Sequence, residues 1–557
     1  MKKLVALLLA ACMTLVLFAG CNSTEEEGSE TQDPNNTSTS SIDVALGAHI
    51  TTLDHGINTE TQNEYVLTHL YSGMFRKDEQ GNVQKELCKD YTVSDDGLTY
   101  TFTLIDDAMW SDGTPLTAHD FEYAMLRALS YGVDNAYSIK EILDYLKGSK
   151  EYNQAAIEAG SDFDCTVEDH SYVGIKATDD KTLVIELEAP CTFLPSLMCN
   201  RAWVALPQDT PQHDSLWSLE PGYPTSGPYV LSEINSTEKA VLTKSETYFN
   251  KDAITMDSIT FWCMPDQDAQ AMNFESGELD VALSVTASAA DKYKGTDNLG
   301  VIQDGTSYFI VMNSGETGPD YLKDVRVRRA LALAIDKQAI SDVLGSEYYQ
   351  VLNGYVPHGA AGINGEFRDE ADADGYTLTY DPETAKQLLA EAGYDESNPL
   401  KTVYKYSNNS IHGDVATMLQ SFWAAVGVDV SFDSVESSVY YDQVDQGDFE
   451  LCRYGDSVGS HFSRLLTLWT TGGQVVPAVS DPVYDEMAAN AIQLADPTEY
   501  LQALHEMEDY LVEENVYLIP LFEYLTPYLI ADGVQGITLN GVWPFFGYCT
   551  IAAETAE

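Results

Sequence analysis

Arg453, Asp456 and Ser457 stand within five positions of one another in the stretch Phe449 to Trp469, which reads FELCRYGDSVGSHFSRLLTLW. A guanidinium can grip a carboxylate with two parallel bonds, a carboxylate can hold an ammonium, and a serine hydroxyl becomes a nucleophile when a base takes its proton. The surrounding pattern predicts a short apolar strand over Phe449 to Tyr454, a polar turn over Gly455 to Gly459, and a helix with apolar residues at helical spacing over Phe462 to Trp469. Such a turn presents free backbone N–H groups and sets Arg453 and Asp456 at its rim, a geometry suited to a ligand. The plainer reading is an ordinary strand-to-helix turn with solvated charges.

The same residues, Gly455 to Gly459, fit the G-x-S-x-G pattern of a hydrolase nucleophile elbow. A serine hydrolase would need an acid and then a histidine downstream. Only His461 and His505 follow Ser457. His461 is too near for the usual order, and His505 falls in a helix rich in acids, so a hydrolase stands as the competitor from a different class. Glu370-x-Asp372-x-Asp374-Gly375, followed by Asp381, nearly spells a calcium loop. Glu replaces its first Asp and the shorter Asp replaces its last Glu, which favours a solvated acidic loop. The ten histidines form no metal-binding spacing such as HExxH, and no GxxxxGK[ST] or GxGxxG loop is present, so no metal or other cofactor is expected. The 34 tyrosines suit a protein that holds variable side chains, since tyrosine joins large contact area to few rotatable bonds. Most of them belong to plain core packing.

At 557 residues the chain is too long for one core, and two or three lobes are expected. A hydrophobic content of 44% makes it globular. A formal charge of −59 excludes nucleic acid and anionic lipid surfaces as partners, because both require clustered Lys and Arg. Lys2 and Lys3, the apolar run Leu4 to Phe18, and Ala19-Gly20 before Cys21 read as a signal peptide over residues 1–20. The segment resembles a lipoprotein signal, with Cys21 as the lipidated residue and Phe18 in place of the usual Leu. Asn22 to Ser41 is polar and unpatterned, so residues 21–41 read as a flexible stalk. Cysteines stand at 12, 21, 88, 165, 191, 199, 263, 452 and 549. Without the first two, seven remain, an odd number with no CxxC, so buried free thiols are expected beside at most one or two bridges.

The elements that must position the candidate residues follow from periodicity. A helix is predicted over Tyr65 to Phe75. Strands are predicted at Thr99 to Leu104, Thr182 to Leu187, Lys239 to Thr243, Ser258 to Trp262 and Leu279 to Leu283. Ser307 to Met312 (SYFIVM) reads as a buried strand. Thr117 with Asp120 caps a helix whose apolar face is Phe121, Ala124, Met125, Ala128 and Leu129. Val325 to Leu344 is predicted as one helix with Arg326, Arg328 and Arg329 near its start. Asp381-Pro382, Asp481-Pro482 and Asp496-Pro497 each open a helix, and Gly393 closes the first. Strands and helices alternate irregularly without an internal repeat, which gives a mixed α/β class.

Trp110 to Phe121 (WSDGTPLTAHDF) resembles the signature of the oligopeptide-binding family, family 5 of the extracellular solute-binding proteins that serve ABC importers. Leu53-Asp54-His55, Thr225 to Tyr229 (TSGPY), Glu275 to Asp280 (ESGELD), Asp324 to Leu331 (DVRVRRAL) and Ala385 to Gly393 (AKQLLAEAG) agree in order. Ile105, where the family usually has Arg, departs from the pattern. The resemblance implies a periplasmic-binding-protein-like α/β fold of three lobes, with two mixed-sheet jaws and an extra lobe. Lobe I would comprise 42–75, 190–303 and 523–557, lobe II 76–189, and lobe III 304–522. It further implies a monomer that does no covalent chemistry. This monomer captures a short peptide, hands it to an ABC permease and is held to the outer face of the membrane through Cys21. A sugar, metal chelate or signalling peptide is the alternative ligand.

In the family's peptide binders, an Asp after this strand holds the peptide's α-amino group. An ungapped count puts that position on Gly459, with Asp456 three residues earlier and Ser457 between. Either Asp456 substitutes through a loop shift or the amine site is lost. Arg453 matches the family's arginine, Tyr524 a cleft-facing aromatic, and Tyr137 another.

Overall fold

The computed structural model describes residues 40–552 apart from 59, 79–80, 131–144, 374, 458–462, 473–477 and 539–542. The signal segment, Cys21, Tyr137 and Gly459 lie outside the described residues. From the amino end come β1 (Ser41–Leu46), the hairpin β2 (Phe75–Lys77) and β3 (Val83–Lys85), then β4 (Cys88–Val93), β5 (Thr99–Leu104), β6 (Ile175–Asp179) and β7 (Thr182–Glu186). β8 (Tyr229–Asn235), β9 (Lys239–Lys244), β10 (Ser258–Cys263), β11 (Val281–Ala282) and the long β12 (Leu299–Met312) follow. Then come β13 (Tyr349–Val351), β14 (Leu400–Ser407), β15 (Val428–Val435), β16 (Leu451–Ser457) and the long β17 (Leu518–Ile530), followed by the short pair β18 (Val534–Gln535) and β19 (Thr550–Ile551).

Eleven of these strands form one mixed sheet, in the order β15-β14-β16-β12-β17-β11-β1-β10-β9-β8, with β13 also paired to β17. The two expected jaw sheets are therefore joined along a single hydrogen-bonded path. The join is the antiparallel ladder of β12 and β17, whose register runs from Leu299 opposite Leu529 to Gln303 opposite Leu525, then breaks and resumes at Ser307 opposite Glu523. Gly305 sits in the break with φ +72, a conformation that only glycine takes without strain, as a bulge demands. On one side of the break the ladder continues into β11 and β1, on the other into β16 and β14. Tyr308 to Met312 has no exposed residue, as an apolar run in a central strand requires. One buried cluster draws on Ile42 to Leu283 with Phe546 and Cys549, and two others draw on Tyr308 to Phe522.

A separate antiparallel sheet, β4-β5-β7-β6, holds the expected strand Thr99–Leu104 at its centre. The helix Ala118–Leu129 packs against it. Its five predicted apolar residues are all buried, and the Asp120 carboxylate accepts the Thr117 backbone N–H at 2.8 Å.

Four expectations are corrected. The helix expected to reach Phe75 spans Thr61–Leu70, and Phe75 opens β2 instead. Val325 to Leu344 is two helices, Val325–Leu333 and Lys337–Leu344, because Asp336 accepts the Ala339 N–H at 3.0 Å and caps a second start. The acidic stretch is no loop at its beginning, since Phe367–Asp372 is helical. Its acids serve the protein's own groups: Glu370 accepts the Ile363 and Asn364 N–H groups and pairs with His505, while Asp372 pairs with Arg368. Finally, β16 starts at Leu451 and runs through Gly455, Asp456 and Ser457, three residues expected in a turn. All seven cysteines from Cys88 onward are free, Cys191 and Cys199 included. Among the described residues no helix is long and apolar enough to cross a membrane.

Candidate functional site

β16 lies antiparallel to β12, with Arg453 opposite Ile310 and Asp456 opposite Ser307. Because successive residues of a strand face opposite sides of the sheet, Arg453 and Gly455 share one face, and Asp456 shares the other with Tyr454. The two charges expected side by side on a rim are therefore separated by the sheet itself. Both are buried, Arg453 at 9% exposure and Asp456 at 5%.

On the first face the Arg453 guanidinium lies over the Tyr308 ring, 5.1 Å from its centroid, and its Nη1 is 3.5 Å from the Tyr441 hydroxyl. The Tyr440 hydroxyl donates to the Arg453 backbone carbonyl. Tyr524 stands 6.4 Å from Tyr308 and 5.8 Å from Tyr349, centroid to centroid. Among the described residues no carboxylate forms a salt bridge with Arg453, and its buried Nε has no hydrogen-bond partner. Gly455 makes the arrangement fit, since a Cβ there would come within 2.8 Å of the Arg453 Nη2 and 2.8 Å of the Ser307 carbonyl. His412 closes the group at 5.6 Å from Tyr308. Burial first, and the Arg453 charge second, pull His412 down to about 4, so its ring is neutral at pH 7. The result is a permanently charged guanidinium in an aromatic wall, with polar groups that are uncharged.

On the second face, Asp456 Oδ2 accepts the Arg464 Nε–H at 2.6 Å and the Tyr355 hydroxyl. Burial and the Asp456 charge hold the Tyr355 hydroxyl well above its ordinary range, so it stays a donor. Asp456 Oδ1 takes part in neither bond. Arg464 comes from the short helix Ser463–Thr467; the helix expected over Phe462 to Trp469 ends earlier, since Leu468 and Trp469 lie in a turn and a bend. Ser457 ends β16 opposite Thr306 in extended backbone, whereas a nucleophile elbow needs a sharp turn. His505, the downstream histidine of the hydrolase reading, stacks on Phe367 at 3.9 Å and pairs with Glu370 at 3.3 Å.

The structure thus joins Arg453 with Tyr524 and places Asp456 behind them. Tyr308, Tyr441, His412, Tyr355 and Arg464 were missed in the sequence. Only Tyr308 carried a signal, as part of a buried strand. All of this sits beside the ladder break, since Ser307 pairs both Asp456 and Glu523. Glu523, fully buried, accepts His358 Nδ1 at 2.5 Å and the His358 N–H at 3.1 Å. That bond raises the His358 pKa.

Residues 82–474 match the family described as bacterial extracellular solute-binding proteins, family 5 Middle. The chain belongs to that family. Among relatives of this family 5 protein, the dipeptide-binding protein DppE of Bacillus subtilis is 27% identical over 557 residues, covering 97% of each chain. A probable deoxycholate-binding periplasmic protein of Escherichia coli, YgiS, is 27% identical over 88% of this chain and 89% of that protein. The open, unliganded structure of the murein tripeptide-binding protein MppA superposes with a TM-score of 0.75 at 24% identity, over 92% of this chain and 98% of its own. It shows a shared fold. These relatives are named as binding proteins, not as enzymes.

Proposed function

We propose that this family 5 protein captures short peptides between two lobes and delivers them to an ABC permease without covalent chemistry. Arg453 carries the reading. A buried guanidinium without a counter-ion costs several kcal/mol, and a carboxylate from a ligand removes that cost through a two-bond grip. Tyr308, Tyr441 and Tyr524 supply broad, adaptable contact around it, with neutral His412 beside them. Asp456 lies on the other face one residue from the end of β16, so it receives the peptide's ammonium on Oδ1 only from a ligand that passes round that end, while Oδ2 keeps Arg464. We also assign Ser457, Gly459 and Tyr137 to ligand contact. Lobe I (42–75, 190–303, 523–557) and lobe III (304–522) move about the ladder break, as hinged binding proteins do, with lobe II (76–189) alongside. Lipid on Cys21, beyond a cleaved signal of residues 1–20, holds the monomer at the outer membrane face. The relatives named for dipeptides and murein tripeptide support a peptide ligand. The relative named for deoxycholate supports a second reading, an apolar carboxylated solute, which the same arginine and tyrosines would accept.

Native mass spectrometry of the purified chain separates the two. A ladder of peptide masses, lost in Arg453→Gln, is the expected result. One discrete non-peptide mass selects the second reading, and a peptide ladder unchanged in Arg453→Gln keeps the peptide ligand but removes Arg453 from its site. Asp456→Asn weakens a free-amine peptide and spares its N-acetylated form if the amine contact is right; equal losses assign Asp456 to holding Arg464 alone.

A further inference from the structure

Away from Arg453, a cavity of about 70 Å³ lies between β2, the 201–203 turn and the carboxyl-terminal segment around Trp543 to Tyr548. Arg76, Lys77 and Arg201 line it, with Glu86 as its one acid and Trp543 and Tyr548 as an aromatic rim. Arg201 is 7% exposed. It donates to the Tyr71 and Cys199 carbonyls, not to a carboxylate, and its Nε is buried without a partner. Among the described residues the Arg76 guanidinium has no hydrogen bond or ion pair, and it lies 5.8 Å from the centre of the Tyr548 ring. Glu86 is already engaged, accepting from the Ser72 hydroxyl at 2.8 Å, the Gly73 N–H at 3.3 Å and the Tyr248 hydroxyl at 3.2 Å.

The chain has 88 acidic residues against 29 Lys and Arg, so a cavity lined by Arg76, Lys77 and Arg201 with Glu86 as its one acid is a marked local reversal. Glu86 is the one carboxylate lining the cavity and its charge is felt by both Arg201 and Arg76, so the two guanidiniums share a single lining counter-charge, and guanidiniums match the fork of a carboxylate or phosphate. A cavity of about 70 Å³ has room for one such group. We propose that this cavity is a second binding site, for a small oxyanion gripped by Arg76, Lys77 and Arg201. The site shares no residue with the Arg453 face and is independent of the peptide reading.

The test is thermal unfolding of the purified chain against inorganic phosphate and, separately, against acetate, with ionic strength held constant by sodium chloride. A saturable rise in Tm with phosphate alone identifies a phosphate site, and one with acetate identifies a carboxylate site. Arg76→Gln, which removes no hydrogen bond or salt bridge among the described residues and only the ring contact with Tyr548, moves the half-saturation point about tenfold upward. Its unchanged Tm without added anion shows that the fold is intact. No saturable rise with either anion, or an Arg76→Gln titration identical to the parent's, overturns the proposal. No peptide enters this readout, so a failure of the peptide reading leaves it untouched.

Discussion

Gly455 decides where Arg453 can lie. With a methyl group at 455, either the guanidinium or the Ser307 carbonyl must move, and the carbonyl is fixed in the β12–β16 ladder. Gly455→Ala is expected to cost about 1–3 kcal/mol in urea unfolding and to weaken ligand binding with it. Across the sheet, Arg464→Ala strands the Asp456 carboxylate with only Tyr355, and a loss of about 3 kcal/mol is expected from the same measurement. His358 gives a pH signature. Its pKa is raised in the fold by the Glu523 bond, so the folded state holds the proton more tightly than the unfolded chain. The contribution is complete below about pH 6.5 and is lost as pH climbs through the folded value. His358→Gln should therefore destabilise at pH 6 and change little at pH 9, read from unfolding midpoints at both.

Three helices open on Asp-Pro, and the three caps are not equal. Asp496 accepts the Thr498 and Glu499 N–H groups at 2.9 and 3.1 Å. Asp481 accepts the Val483 N–H at 2.9 Å and also the Tyr510 and Tyr517 hydroxyls at 2.8 and 2.7 Å. Asp496→Ala is expected to cost about 1 kcal/mol, the usual loss of a cap. Asp481→Ala should cost about 2 kcal/mol more, one for each tyrosine bond, and equal losses in denaturant midpoint would show that those two bonds contribute nothing. The Asp-Pro starts were legible because a cap is local chemistry. The split at Asp336 was less so, because an unbroken apolar period hid an internal cap, and the strand through Gly455 was hidden by glycine and serine, whose turn preference the β12 ladder overrides.

Across the whole molecule, charge and buried histidines set the response to solution conditions. At a net charge of −59 self-repulsion opposes the compact state, so added sodium chloride should raise Tm as screening shortens its reach. His69 is pulled to about 3, and His55 and His412 to about 4, in each case chiefly by burial. The unfolded chain binds these protons near pH 6.5 and the folded chain refuses them. Stability therefore falls as pH drops from 6.5 toward 4, with these groups taking up about three protons on unfolding at pH 5. Calorimetry at several pH values counts them.

The family, the mixed α/β class, the caps and most strand centres were determined by the sequence itself, because motif, periodicity and capping act over a few residues. What only the tertiary structure decided was which distant residues meet. Arg453 and Asp456 are three positions apart, yet the sheet sends them to opposite faces. Tyr308, Tyr524 and His412 are far apart in the chain, yet they gather about one guanidinium. The alternation of a strand is local, but the identity of its neighbours is set by the long-range pairing of β12 with β16 and β17, and no spacing along the chain encodes that register.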